Sequence, residues 1–183
     1  MKTRFVQVGL VLLLIASAVS MSAAQLNSGA QAIALNATLS ESLTLSLSAN
    51  AVNFTLAAGA ANNPGSTNIT ATTAWTLKPG RTAVGVYAYF ASSTAALTDG
   101  TNNIPSSAFF IADNGGASTA LTNTVAFGAA NAGVQLANVP ITGANKTSSR
   151  TDAMAFNINL STLPQLPANT YTGTLNIQAQ ATP

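Results

Sequence analysis

Alternation at period two is the pattern that most limits what this chain can become. In Met154-Ala155-Phe156-Asn157-Ile158-Asn159-Leu160 the larger apolar residues fall at every second position. The same spacing recurs at Ile33, Leu35, Ala37 and Leu39, at Leu43, Leu45 and Leu47, and at Val52, Phe54 and Leu56. Successive side chains of a strand point to opposite faces, so each run predicts a half-buried strand. No window beyond residue 24 carries a helical stripe. Clusters of Gly, Asn and Pro, such as residues 57–67 and Asp113-Asn114-Gly115-Gly116, separate the runs and read as turns. About ten short strands on this plan predict an all-β fold, a two-layer antiparallel immunoglobulin-like β-sandwich with Greek-key links.

Residues 69–91 hold the single tryptophan, Trp75, and two of the three tyrosines, Tyr87 and Tyr89. Between two strand-like runs stands Lys78-Pro79-Gly80-Arg81, which predicts a β-hairpin with arms at 69–77 and 83–91 and with Trp75 as a core anchor. On the second arm Val84, Val86, Ala88 and Phe90 share one face and the two tyrosines the other. Bulk on both faces predicts a central strand or a contact with another chain. Residues 108–112, 121–127, 134–141 and 171–179 supply further strands, the last with Tyr171, Leu175 and Ile177 on one side.

Lys2 and Arg4, an apolar run over residues 5–19, and Ser22-Ala23-Ala24 before Gln25 have the layout of a secretory signal peptide over residues 1–24. The run is shorter than the roughly 20 residues of a spanning helix, which favours cleavage over anchorage. Residues 25–183 are then expected to be a single domain without a membrane span. Its expected place is outside the cytoplasm: periplasmic, cell-surface or extracellular.

Past residue 24 the bases Lys78, Arg81, Lys146 and Arg150 balance the acids Glu41, Asp99, Asp113 and Asp152. No basic stripe remains for phosphates, which argues against nucleic acid and against docking on anionic lipid. Charged residues make up only 5% of the chain, so its polar surface must be built from Thr, Ser, Asn and Gln. Such a surface offers little repulsion between copies and favours self-association or contact with other surface proteins.

Histidine and cysteine are absent. That removes the imidazole base, the thiolate and the usual metal ligands, so neither an enzyme nor a cofactor is expected. The Asp99 and Asp113 loops are rich enough in oxygen to consider calcium. They lack the ligand spacing of a calcium loop, and turn formation is the preferred reading. Trp75, Tyr87, Tyr89 and Tyr171 are either core residues or a contact surface, the tyrosines being able to stack on sugar rings.

Two stretches, Ala74-Trp75-Thr76-Leu77 and Pro167-Ala168-Asn169-Thr170-Tyr171-Thr172-Gly173-Thr174-Leu175, carry a family likeness. The pairing resembles the β-sandwich domains of secreted bacterial cell-surface proteins and pilin-like subunits, including spore-coat-U-like proteins. Those families commonly end in a Gly-x-Tyr-Thr-Gly-x-Leu strand, with Asn169 here in the place of the first Gly. The resemblance implies assembly, since pilin-like subunits complete one another's sheets by strand addition.

Residues 30–39 suit a donor strand, with Ile33, Leu35, Ala37 and Leu39 on one face and none of the lysines or inward charges that blunt an edge. The alternative for this segment is pairing within its own domain. For the whole chain the rival expectation is a monomeric carbohydrate-binding or adhesive module.

Overall fold

The computed structural model describes residues 28–122 and 134–183. The expected leader, residues 1–24, lies outside the described residues, as does most of the strand expected at 121–127. The chain divides into two units, Met1–Thr38 and Leu39–Pro183. In the first, residues 28–38 form neither helix nor strand and every side chain is exposed. The alternation at 33–39 is thus not paired into a strand as its period suggested. Ile33 and Leu35 stand 84% and 90% exposed.

The second unit carries eleven strands among the described residues: β1 (Ser42–Leu47), β2 (Asn63–Pro64), β3 (Ile69–Thr76), β4 (Ala83–Phe90), β5 (Leu97–Thr98), β6 (Asn103–Ile104), β7 (Phe109–Asp113), β8 (Thr119–Ala120), β9 (Val134–Pro140), β10 (Thr147–Ile158) and β11 (Leu175–Thr182). One sheet runs β1-β3-β10-β7-β8, with β2 also paired to β10, and a second runs β11-β4-β9. All the named pairings are antiparallel. β5 and β6 form a small separate hairpin.

The two larger sheets share one core. Ile69 and Ala71 of β3, Phe109 and Ile111 of β7, and Met154, Phe156 and Ile158 of β10 meet Ala88 and Phe90 of β4. This is the expected all-β sandwich, and its layers form because each sheet has one apolar face to bury.

The 69–91 stretch folds differently from its turn chemistry. β3 and β4 belong to different sheets, so Lys78–Arg81 carries the chain across the sandwich and does not close a hairpin. A hairpin would set Trp75 and Val84 side by side on one surface. Instead Trp75, Leu77 and Val84 face one another between the layers as a satellite cluster with Leu43 and Val139 beside them. Burying both apolar faces against each other outweighs the local turn preference.

β4 is central in its sheet, as its two bulky faces predicted: Val84, Val86, Ala88 and Phe90 are buried, while Tyr87 and Tyr89 are half-buried on the outer side.

β10 begins seven residues earlier than the apolar run that marked it. Arg150 and Asp152 occupy positions in phase with Met154 and Phe156, so the alternation there is written in charges. β11 begins at Leu175, and Tyr171-Thr172 contributes only an isolated bridge from Thr172 to Thr98.

Candidate functional site

Strand order leaves β1 at the edge of one sheet and β11 at the edge of the other. Along this side the sandwich is closed at one end and open at the other. At the closed end Arg81 donates from Nε to Glu41 Oε1 at 2.8 Å, from Nη2 to Glu41 Oε2 at 3.1 Å and from Nη1 to the Ala181 carbonyl at 3.2 Å. The guanidinium holds the Glu41 carboxyl below its usual range.

At the open end lies a groove of about 720 Å³. Its floor is the core itself, Phe90, Phe109, Met154, Phe156 and Ile158, all buried. One wall is Leu47 with Val52, Phe54 and Leu56, and the other is Leu166 with Tyr171, Leu175 and Ile177. The alternation at 52–56 and at 171–177 therefore serves to line this groove.

Phe109 is the hub of the floor. Its ring meets Phe54 edge-on at 5.7 Å between centroids, Phe90 edge-on at 5.1 Å and Phe156 at 5.9 Å. Edge-to-face geometry adds attraction beyond area burial and fixes the shape of the groove.

The second wall is held by Asp99. Its Oδ1 accepts from the Thr101 and Asn102 backbone N–H groups at 2.8 and 2.6 Å, and its Oδ2 accepts from Asn102 Nδ2 at 3.1 Å and Asn169 Nδ2 at 2.9 Å. These donors depress the Asp99 carboxyl far below the ordinary range, the Asn102 N–H foremost. Each oxygen accepts two hydrogen bonds, so Asp99 shapes the turn and clamps it to Asn169.

Next to the clamp the 171–173 segment runs against residues 96–98 with no room for a side chain at Gly173. A Cβ on Gly173 would overlap the Ala96 carbonyl oxygen. Gly173→Ala is expected to force wall and hairpin apart at a cost of about 1–3 kcal/mol in stability, read as a lower urea midpoint. An unchanged midpoint would show that the wall is not held here.

The Asp113 loop also makes a turn, with Asn114 at φ 49°. It joins a buried cluster that spacing alone does not reveal. Asp152, fully buried, accepts from Arg150 Nε at 2.6 Å and from Asn114 Nδ2 at 3.1 Å. Asp113 Oδ1 and Asp152 Oδ2 are buried without a hydrogen-bond partner. Burial, and then the charge of Asp152, push the Asp113 carboxyl up. A raised carboxyl contributes stability that is complete below its unfolded value and fades as pH rises through its folded one. Thermal melts should therefore fall as pH climbs above the ordinary carboxylate range, and Asp113→Asn should flatten that fall. An unaltered slope in the variant would contradict it.

The sequence-selected aromatics do not converge. Trp75 is a core residue, 4% exposed, its Nε1 donating to the Asn145 carbonyl at 2.9 Å. Tyr171 lines the groove and donates from its hydroxyl to the Pro167 carbonyl at 2.8 Å. Tyr87 and Tyr89 lie on the outer face of β4, away from both. No group of three or more His, Cys, Asp or Glu side chains placed to hold a metal occurs among the described residues. No helix among them is long and apolar enough to cross a membrane. No family model, no curated protein and no solved structure matches the chain.

Proposed function

We propose that this is a secreted structural protein of the bacterial surface that acts by contact between copies, one subunit lending a strand to the next. The observation that supports the reading is a pairing of opposites within one sequence. An apolar groove opens onto the core beside the edge strand β11, and residues 33–39 offer alternating apolar side chains to solvent. As a strand that segment spans about 20 Å, comparable to the reach of an eight-residue strand such as β11.

Backbone groups along an edge strand template an added strand, and alternate side chains then fall into the groove. Burying Ile33, Leu35 and Leu39 in a neighbour contributes about 1.5–3 kcal/mol each, before the cost of ordering the segment. Near-zero net charge beyond residue 24 leaves little repulsion to oppose the approach.

Light scattering on the chain beginning at Gln25, over a wide concentration range, tests this directly. Growth into ordered oligomers is the expected result. A monomer at every concentration would overturn spontaneous assembly and move the reading to a monomeric binding module.

A further inference from the structure

We propose that Asp113 and Asp152 form a buried acid pair, the Asp113 carboxyl donating its O–H to the Asp152 carboxylate, and that this one proton is a pH-sensitive latch fastening the turn after β7 to β10. Both acids share the inward phase of their strands, Asp113 with Phe109 and Ile111 and Asp152 with Met154 and Phe156. One oxygen of each is well supplied. Asn114 Nδ2 donates to Asp113 Oδ2 and to Asp152 Oδ1, both at 3.1 Å, and Arg150 Nη2 faces the same two oxygens. The two carboxyls thus lie side by side, bridged by one pair of donors. The second oxygen of each, Asp113 Oδ1 and Asp152 Oδ2, is buried with no donor.

If both acids were ionised, two buried acceptors would stay unsatisfied and two like charges would repel. A single proton turns one acceptor into a donor for the other and removes both faults. Asp113 is the acid that holds it. Arg150 grips Asp152 through both Nε and Nη2, whereas Nη2 stands 3.6 Å from Asp113 Oδ2. Burial, then the charge of Asp152, push the Asp113 carboxyl up, with a hydrogen bond to Asp152 as a smaller contribution.

The elements packed around the pair bring no charge to alter this balance. Residues 114–145 contain no ionisable side chain, β1, β3 and β11 contain none, and the tyrosines of β4 are on its outer side. Lys146 precedes β10, where its carbonyl accepts from the Leu77 N–H. Two acids against one guanidinium leave one negative charge in excess within the sandwich, and a proton cancels it. A metal ion in its place would meet the repulsion of the Arg150 guanidinium.

The turn is stapled to β10 from both sides. The Asn114 N–H donates to the Ala153 carbonyl at 2.8 Å, and the Ala153 N–H donates to Asn114 Oδ1 at 2.9 Å. Asn114 holds φ 49°, a left-handed conformation that such contacts keep in place. Loss of the proton sets two carboxylates against each other, and the relief is for Asp113 to swing to water with its turn. The segment so released leads into β8, the edge strand opposite β1.

Amide hydrogen exchange of the full chain, followed by NMR across pH, tests this. Protection factors of the Asn114 and Ala153 amides should hold through the ordinary carboxylate range and then fall by about tenfold per pH unit, the slope for one proton. The Leu77 amide should keep its own protection over that interval, and the Asp113 carboxyl carbon signal should titrate within it. Asp113→Asn puts an amide donor where the O–H was and should keep both amides protected throughout. Glu41→Gln, at the closed end, should leave the parent's fall unchanged. Where Asp113→Asn does not fold, the carboxyl titration and the two amide slopes of the parent decide. An Asp113 carboxyl that titrates in the ordinary range, parent amides whose protection ignores pH, or protection restored above that interval by calcium chloride would each overturn the proposal.

Discussion

Replacing Ile33 and Leu35 together by Asp should leave the subunit folded and abolish its growth into oligomers. Both side chains are more than four-fifths exposed within the chain, so the fold gives up little when they change. Surface substitutions of this kind usually alter stability by about 0.5 kcal/mol or less. In the neighbour's groove the same two positions would meet Phe109, Phe156 and Ile158, where an unpaired carboxylate has no partner. Loss of two apolar anchors and burial of two charges would cost more than a strand addition can return. The measurement is light scattering beside a thermal melt. A double variant that still assembles would remove residues 33–39 from the donor role, and one that no longer melts cooperatively would show that they belong to the fold.

Phe109→Ala should be the most damaging single change in the sandwich, at about 3–5 kcal/mol. The residue is 5% exposed and is the ring on which three other phenylalanines converge. Its loss deletes edge-to-face contacts and joins a new cavity to an existing groove, which limits how far the surroundings can collapse. Urea unfolding, with the slope checked for change, gives the number. A cost below 1 kcal/mol would mean that the groove closes over the vacancy and that its floor is softer than its burial suggests.

The alternation from Met154 to Leu160 predicted a strand and its inward face, and Met154, Phe156, Ile158 and Leu160 are buried on that face. The same logic placed Val84, Val86, Ala88 and Phe90 inside and the two tyrosines outside. In both cases side-chain period is a property of neighbouring residues, and it survives whatever the strand later pairs with.

The candidate site was less legible. The alternation at 171–177 and at 52–56 marked the right side chains, but only the meeting of two distant segments shows that they flank an opening. The buried cluster at Asp152 could not be read from spacing, because Arg150 is its neighbour on the same strand face but Asn114 comes to it from the turn after β7.

Composition and period alone determined an all-β chain with no imidazole or thiol and a nearly uncharged surface past residue 24. Tertiary structure decided the rest. It sent β3 and β4 to opposite layers, though Lys78-Pro79-Gly80-Arg81 reads as a hairpin turn, since Trp75 is better buried facing Val84 across the layers than beside it on one surface. It also left residues 33–39 exposed although their period is that of a strand. Period states which way side chains would point, while pairing depends on whether an edge is free to receive them, and that is fixed by contacts far apart in the chain.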